Sequence, residues 1–254
     1  MRSKDTKTTQ FLNLKLTNIS IQEWTKEVKN GLDNDIDNVK WFICINPHSY
    51  SISKSDAKYK AALDDADWIV PDGIGIILAA KFLGINLYQR ITGLDIFYSI
   101  MNYASRNKKK VFFMGGSKQT IEKILVRVRN EFQGIADAKG ISPPYSEEFD
   151  KLTNEYLLGE INNFKPDIIW IGLTAPKQEK WILDNKENLP NAFIGPIGAV
   201  FDYYAGTANL APKFIRVIGL EWLYRFVFEP KRMWRRNLIS LPAFLKDVFL
   251  SKKF

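Results

Sequence analysis

Histidine and cysteine are nearly absent from this chain of 254 residues, which contains one of each, His48 and Cys44. A single cysteine cannot form an intrachain disulfide, and one His with one Cys cannot supply the usual ligands of a zinc site. A Ser-His-Asp or Cys-His catalytic group would have to use His48. Any catalysis is therefore expected to rest on carboxylates, backbone dipoles and basic side chains, and we assign no metal ligands.

Long hydrophobic runs are also missing. Residues 1–16 contain no apolar segment of signal-peptide length. No stretch approaches the roughly 18 apolar residues of a membrane-spanning helix. The composition, 46% hydrophobic and 25% charged residues, is typical of a globular protein. We therefore expect a cytoplasmic protein, or one that is held to a membrane from outside.

Acidic residues are scarce at the C-terminal end. Residues 211–254 contain ten Lys or Arg and three Asp or Glu, and so carry seven of the eight net positive charges. Nine aromatic residues lie in the same segment. This mixture suits a membrane surface with anionic headgroups, single-stranded nucleic acid, or a packed helix pair with a charged outer face. Pro230 and Pro242 predict breaks, and thus two or three short helices.

Short apolar runs alternate with helical patterns through the rest of the chain. The alternation predicts an α/β fold, with a Rossmann-like parallel sheet covered by helices on both faces and a basic helical C-terminal appendage. We place the core at residues 1–210 and the appendage at residues 211–254. Strands are predicted at 41–46, 68–70, 111–114, 167–172 and 192–198, and helices near 54–66, 73–84, 93–108, 117–133, 147–163 and 177–187.

Two loops after predicted strands carry residues suited to chemistry, at the sheet edge where ligands bind in open α/β folds. Gly115 and Gly116 precede a helix that starts at Ser117, an arrangement that can hold a phosphate but is also an ordinary capped turn. Asp72 lies between a proline that ends a strand, Pro71, and the start of a helix. Its carboxylate could act as a general base or simply cap that helix.

Two later loops are further candidates for ligand binding. Lys177, Gln178 and Glu179 begin the helix after a buried strand, where a diphosphate or the edge of a base could be held. A solvated helix start is the alternative, and it competes best for Lys180. Asp202 follows a markedly apolar stretch, so it needs a partner if it is buried. It could be satisfied by backbone N–H groups, or it could hold a ribose or sugar hydroxyl.

An ordered set of motifs over residues 41–236 resembles the WecG/TagA/CpsF family of bacterial glycosyltransferases. No single motif is decisive, and the order makes the resemblance specific. The motifs are Asn46-Pro47, Pro71-Asp72-Gly73-Ile74-Gly75, Arg90-Ile91-Thr92-Gly93, Phe113-Met114-Gly115-Gly116, Ala175-Pro176-Lys177-Gln178-Glu179, Phe201-Asp202-Tyr203-Tyr204-Ala205-Gly206, Gly219-Leu220-Glu221-Trp222-Leu223-Tyr224-Arg225 and Glu229-Pro230-Lys231-Arg232.

The resemblance implies an inverting transferase that needs neither metal nor cofactor. Its donor would be a UDP-sugar and its acceptor an undecaprenyl-diphosphate-linked saccharide. The transferred hexose would be N-acetylmannosamine, its uronic acid or a related sugar, for teichoic acid, capsule or exopolysaccharide synthesis. Such an enzyme would lie on the inner face of the cytoplasmic membrane, with no nucleic acid as partner. The resemblance leaves open the donor sugar, the acceptor glycan and whether the chain forms a homo-oligomer.

The resemblance also assigns roles to residues of this chain. Asp72 matches the family's proposed catalytic base, and Asn46 matches its conserved asparagine. Arg90 matches its conserved arginine, and with Arg225 and Arg232 it is a candidate for binding the acceptor diphosphate. The family's C-terminal appendage is thought to cover the active site and to touch the lipid diphosphate. The glycine pair and the residues from Lys177 to Glu179, with Asp202, are then candidates for the nucleotide-sugar donor.

One position departs from the family, and two other functions compete with the transferase. Teichoic-acid members have threonine where this chain has Cys44, and a thiol is a weaker hydrogen-bond donor, so the sugar could differ. A nicotinamide-dependent oxidoreductase is suggested by Gly73 and Gly75, but Leu78 replaces the third glycine of the fingerprint. A non-enzymatic RNA-binding module would explain the basic tail, but it would need no carboxylate at Asp72.

Overall fold

The computed structural model describes residues 7–33 and 38–252. The strands are β1 Thr8–Phe11, β2 Leu14–Thr17, β3 Lys40–Ile45, β4 Trp68–Pro71, β5 Lys110–Gly115, β6 Asp137–Ile141, β7 Ile168–Gly172 and β8 Phe193–Pro196. The helices are α1 Ile21–Asp33, α2 Pro47–Ser55, α3 Ala57–Asp65, α4 Ile74–Phe82, α5 Gly93–Arg106, α6 Lys118–Glu131, α7 Lys151–Phe164, α8 Lys177–Asn185, α9 Val200–Ala205, α10 Lys213–Val217, α11 Glu221–Phe228, α12 Pro230–Arg235 and α13 Leu241–Ser251.

The main sheet has six strands in the order β4-β3-β8-β7-β5-β6, and all of its strand pairs are parallel. The five predicted strands are confirmed, with bounds that differ from the predicted ones by one or two residues. The predictions missed β6, whose sequence Asp-Ala-Lys-Gly-Ile has no apolar run because it is an edge strand with no fully buried residue. They also missed the antiparallel hairpin of β1 and β2, whose sequences Thr-Thr-Gln-Phe and Leu-Lys-Leu-Thr contain no continuous apolar run.

Side chains of the central strands alternate between two hydrophobic clusters, one on each face of the sheet. In β3, Trp41 and Ile43 belong to one cluster and Phe42 to the other. In β7, Ile169 belongs to the first cluster and Trp170 to the second. A strand that buries both faces carries a continuous apolar run, which is why these strands were readable from the sequence. The predicted parallel sheet with helices on both faces is thereby confirmed.

The C-terminal segment contains fewer breaks than its prolines predict. Pro230 begins α12, as expected for a residue without a backbone N–H. From there one continuous helix runs to Ser251, because a π-helical turn at Arg236–Ser240 joins α12 to α13. The predicted break at Pro242 is wrong. The wider π turn directly before Pro242 relieves the clash between the proline ring and the preceding turn.

The last helix is built into the hydrophobic core. Phe244 is fully buried, and its ring centroid lies 5.3 Å from that of Tyr50 and 6.3 Å from that of Phe11. Val248 is buried in the same cluster. This packing holds the second half of the C-terminal segment against α2 and the β1–β2 hairpin. The boundary between core and appendage near Leu210 stays a prediction.

Candidate active site

A cavity of about 210 Å³ lies at the carboxyl ends of the central strands. Its walls come from residues that follow β3, β4, β7 and β8 and from the C-terminal segment. This is the edge at which parallel α/β sheets bind their ligands. The predicted site residues that line it are Asn46, Asp72, Arg90, Gln178, Glu179 and Arg225.

Asp72 does not cap a helix. Its backbone N–H donates a hydrogen bond to the Ile45 carbonyl at 2.8 Å, which ties the end of β4 to the end of β3. The N-cap of α4 is Gly73, with φ of +90°, and no side chain caps this helix. The carboxyl group of Asp72 therefore projects into the cavity with no capping bond to make, and the capping interpretation is wrong.

The surroundings of Asp72 raise its pKa to about 7. Burial is the largest cause, because it disfavours the charged form, and the Glu221 carboxylate adds to it. Arg90 and Arg225 act in the opposite direction, and Asp95 raises the pKa further. A carboxylate with a pKa near neutrality can accept a proton and release it again at physiological pH, as a general base must.

Asn46 is the residue that does cap a helix. Its side-chain oxygen accepts hydrogen bonds from the backbone N–H groups of His48 at 3.0 Å and Ser49 at 3.1 Å, at the start of α2. The Ser49 hydroxyl in turn accepts a bond from the Asn46 N–H at 2.8 Å, which completes a capping box. Because Oδ1 is occupied, any contact that Asn46 makes with a ligand in the cavity falls to its Nδ2 group.

Gln178 and Glu179 lie buried at the start of α8, with 5% and 3% of their surface exposed. Gln178 Nε2 donates to Glu179 Oε1 at 2.9 Å. Within the described residues, Gln178 Oε1 and Glu179 Oε2 have no hydrogen-bond partner. Burial raises the pKa of Glu179 to about 7, against the opposing hydrogen bond from Gln178. The pair thus presents two oxygen atoms deep in the cavity that suit the hydroxyl or amide groups of a ligand.

Lys177 points away from the cavity. Its Nζ donates to the Ser146 carbonyl at 2.7 Å and lies 3.6 Å from the centre of the Phe149 ring. These contacts hold the segment before α7 against the start of α8. The ammonium group is therefore not brought to the cavity, in contrast to Gln178 and Glu179.

Gly115 and Gly116 form a tight turn between β5 and α6. Both have positive φ values, +127° and +64°. A Cβ atom on Gly115 would lie 2.5 Å from the Gly172 carbonyl oxygen, so the close approach to β7 requires glycine there. The Ser117 hydroxyl accepts a bond from the Thr120 N–H at 3.1 Å and caps α6. The close approach to β7 therefore explains the glycine at position 115. Phosphate binding at this helix start stays a prediction.

Asp202 lies in a neighbouring groove of about 600 Å³, together with Ser117 and Thr120 at the start of α6. Its backbone carbonyl accepts a hydrogen bond from the Thr207 N–H at 2.9 Å. Arg225 lines both this groove and the cavity that contains Asp72. Gln178 and Glu179 thus line the cavity, and Asp202 lines the groove. Lys177 and the glycine pair line neither of these two spaces, and Arg225 lies between them.

Arginines from the core and from the C-terminal segment meet at the cavity. Arg90 Nη2 donates to the backbone carbonyl of Arg216 at 3.2 Å. Arg225 lies 5.7 Å from the centre of the Tyr203 ring, and its Nε and Nη2 have no hydrogen-bond partner within the described residues. Arg232 belongs to α12, but its side chain falls outside the described part of the chain.

Glu221 and Arg236 also line the cavity, although neither was predicted as a site residue from the sequence. Glu221 belongs to the Gly219–Arg225 motif that carried the family resemblance. The motif therefore pointed to this part of the site, but a role was assigned only to its Arg225. His48 also lines the cavity, and its Nδ1 lies 2.8 Å from the Ser240 hydroxyl. Burial and the positive charge of Arg236 lower the pKa of His48 to about 4, so it is neutral at physiological pH.

Residues 7–33 and 38–252 contain neither a metal-binding cluster nor a membrane-spanning helix. No group of three or more His, Cys, Asp or Glu side chains in these ranges could hold a metal ion. No helix in these ranges is long and apolar enough to cross a membrane.

Comparisons with known proteins give a consistent result. A family model described as glycosyl transferase WecG/TagA/CpsF family matches residues 9–254. A Bacillus spizizenii protein named N-acetylglucosaminyldiphosphoundecaprenol N-acetyl-beta-D-mannosaminyltransferase is 34% identical over 82% of this chain and 78% of its own length. Proteins of the same name are 29% identical in Bacillus subtilis, over 82% of this chain and 78% of their own length, and 26% identical in Staphylococcus aureus, over 96% and 92%.

Proposed function

The chain belongs to the WecG/TagA/CpsF family of glycosyl transferases, and from this premise we propose that it transfers N-acetylmannosamine from a UDP-linked donor to N-acetylglucosaminyl-diphosphoundecaprenol. Membership in a glycosyl transferase family favours this function over the two alternatives, the oxidoreductase and the RNA-binding module. The names of the relatives support the sugar and the acceptor. The product would serve cell-surface polysaccharide synthesis of the teichoic acid type.

The observation that carries the proposal is Asp72, a carboxylate with raised pKa in a cavity lined by arginines. In the proposed reaction, Asp72 takes the proton from an acceptor hydroxyl while that oxygen attacks the anomeric carbon of the donor. The bond from this carbon to the UDP oxygen breaks, and UDP leaves from the opposite face. Attack opposite the leaving group inverts the anomeric configuration. The base needs hydrogen-bond reach of the hydroxyl, which its open position in the cavity supports.

We assign the donor to the two adjoining spaces that Arg225 separates. The nucleotide would lie in the groove with Asp202, near Gly115 and Gly116 at the start of α6. Its diphosphate would face the N–H groups of that helix start and Arg225, since leaving-group charge needs preorganised dipoles or cations. The sugar would extend into the cavity, where the unpartnered oxygens of Gln178 and Glu179 lie. We propose that this chemistry needs no metal ion, as the family resemblance implies.

We assign the acceptor diphosphate to Arg90, Arg225 and Arg232. Guanidinium groups bind phosphate oxygens through paired hydrogen bonds, and Arg225 has two unpartnered N–H positions to offer. Arg236 is a further cation at the cavity. Because Arg90 comes from the core and the others from the C-terminal segment, the acceptor would be held between residues 1–210 and residues 211–254.

We propose that residues 211–254 also bring the protein to the inner face of the cytoplasmic membrane. Large hydrophobic side chains of this segment are exposed, among them Phe214, Val217, Phe228, Leu238 and Phe249. They lie in the same segment as the excess of Lys and Arg. Apolar side chains that enter the headgroup region and cations that meet anionic lipids together give reversible binding.

A donor screen tests the proposed function. The protein is incubated with a synthetic polyprenyl-diphosphate-N-acetylglucosamine acceptor and a panel of UDP-sugars, and the products are analysed by mass spectrometry. We expect the wild type to add N-acetylhexosamine from UDP-N-acetylmannosamine, and the Asp72→Asn variant to do so at a rate lower by about 100-fold or more. Transfer of a different sugar would contradict the donor assignment, and no transfer to this acceptor from any donor would contradict the acceptor.

A further inference from the structure

A glycine of the C-terminal segment lies directly against the helix that follows Asp72. Gly219 has φ of +78°, and a Cβ atom there would lie 2.8 Å from Cβ and Cγ1 of Ile74. Ile74 is the first residue of α4, two positions after Asp72. This contact places the start of α11, and with it Glu221, beside the end of β4. A hydrogen bond of 3.2 Å from Arg90 to the Arg216 carbonyl also ties this segment to the connection before α5.

Glu221 lines the same cavity as Asp72, and its charge acts on Asp72 more strongly than any other single charge. The groups whose charges interact with Asp72 come from four parts of the fold. They are Cys44 of β3, Arg90 of the connection before α5, Asp95 of α5, and Glu221 and Arg225 of α11. The first turns of α11 therefore bring one carboxylate and one guanidinium into the site together.

We propose that Glu221 is a positioning residue of the active site, a second carboxylate that the C-terminal segment supplies to the base. The proposal rests on the proposed function, in which Asp72 is that base. The arginines needed for the diphosphate groups stabilise the charged form of Asp72 and so weaken it as a base. A carboxylate beside Asp72 offsets them, and Asp72 then retains enough proton affinity to take a proton from a sugar hydroxyl.

The proposal has a mechanistic consequence. Glu221 acts through Asp72 and reaches it only while the Gly219 turn lies against α4. The proton affinity of Asp72 is therefore highest when the C-terminal segment packs against residues 1–210. Binding of the lipid-linked acceptor through this segment would thus be coupled to the proton affinity of Asp72.

Charge-removing variants of the full chain test the proposal by two readouts. In Glu221→Gln, the acidic limb of the pH profile of kcat/KM is expected to move to lower pH by about half a unit to one unit. The carboxyl ¹³C signal of Asp72, assigned by its loss in Asp72→Asn, should titrate lower by the same amount. Arg225→Gln should move this signal in the opposite direction. Glu187→Gln, the same change at a residue outside the cavity, should leave both readouts unchanged.

The outcomes separate the inference from the proposed function. If Asp72→Asn abolishes turnover but the Asp72 signal of Glu221→Gln titrates as in the wild type, the role of Glu221 is refuted and the base assignment stands. If Asp72→Asn turns over normally, the base assignment itself fails. Glu221→Ser serves as a second charge-removing variant where Glu221→Gln does not fold, as judged by circular dichroism. The ¹³C titration needs no substrate, so it decides the point even if the acceptor differs.

Discussion

Two carboxylates in one cavity, Asp72 and Glu179, both have pKa values raised to about 7, but they differ in their surroundings. Asp72 faces arginines and makes no capping bond, whereas Glu179 accepts a hydrogen bond from its neighbour Gln178. A group that must exchange a proton needs an unobstructed carboxyl group. A group that holds a sugar benefits from being fixed by a neighbour. The difference supports Asp72 as the base and Glu179 as a binding residue.

Asp72→Asn is expected to lower kcat by about 100-fold or more, the usual scale for the loss of a general base. The melting temperature should not fall at any pH. At pH 8 it should rise, because a raised pKa in the folded state means that stability is lost as the pH rises through about 7. Activity and calorimetry on the same preparation check both statements. A marked fall in melting temperature with near-normal turnover would restore a structural role for Asp72.

The pH dependence of the wild type follows from the same group. Because the base must be ionised, kcat/KM should fall as the pH drops through about 7 and reach a plateau above it. Ionisation of His48 cannot produce this limb, since its pKa is lowered to about 4. His48→Gln is therefore the matched control and should keep the profile. A profile that is flat from about pH 5.5 to about pH 8 would exclude Asp72 as the titrating base.

Glu179→Ala is expected to raise KM for the UDP-sugar by about tenfold, the loss of one buried hydrogen bond to the ligand. It also leaves Gln178 Nε2 without its partner, so a moderate loss of stability should accompany it. Glu179→Gln keeps the shape of the side chain and should have the smaller effect on stability. Steady-state kinetics with varied donor give the answer. An unchanged donor KM in both variants would remove Glu179 from the donor site.

At the scale of the element, the C-terminal segment divides into parts with different surroundings. The start of α11 reaches the cavity, the outer faces of α11 and α13 are exposed and apolar, and Phe244 is buried in the core. Removing the whole segment would expose the core around Tyr50 and Phe11. Point substitutions are therefore the sharper test of what each part does.

Phe244→Ala is expected to lower the free energy of unfolding by about 3–5 kcal/mol, the usual cost of emptying a buried phenylalanine site. Phe249→Ala in the same helix is the control, because Phe249 is 60% exposed and should cost far less. Urea denaturation of both variants measures the difference. Equal costs would mean that α13 does not pack into the core through Phe244.

Replacement of Lys231, Arg235 and Lys246 by glutamine should weaken sedimentation with anionic liposomes. These exposed cations lie on α12 and α13, and each Lys or Arg near an anionic surface contributes at most about 1 kcal/mol, which salt screens. The control replaces three exposed lysines within residues 1–210, Lys60, Lys123 and Lys151, by glutamine. If both triple variants lose binding equally, the attraction comes from net charge and not from the C-terminal segment.

At the scale of the whole molecule, the proposed active site lies between two parts of one chain. Asp72 and Arg90 precede residue 100, whereas Arg225 and Arg236 follow residue 220, and one cavity contains all four. UDP should bind to the full chain with unchanged affinity in excess EDTA, because arginines and helix N-termini take the place of a metal in the proposed mechanism. Isothermal titration calorimetry measures this, with NAD as the control nucleotide. Loss of UDP binding on chelation would overturn the metal-free mechanism.

Part of this description follows from local sequence. Five strands of the main sheet were predicted because strands with buried side chains on both faces need continuous apolar residues, as Trp41 to Ile45 and Ile168 to Ile171 illustrate. The hairpin and β6 were not predicted because polar residues interrupt their sequences, which therefore contain no such run. The position of Asp72 at a strand end was also evident from the sequence, and so was the ordered set of motifs that identified the family.

The sequence by itself thus determined the parallel α/β architecture, the family and most candidate residues, because these depend on local patterns and on motif order. Only the tertiary structure decided that Asp72 is not a cap, that Lys177 turns toward Phe149, and that Glu221 lines the same cavity as Asp72. Each of these depends on which side chains approach one another from distant positions of the chain or on the direction of a single loop. Local propensity does not record such contacts, since they are set by how the elements pack.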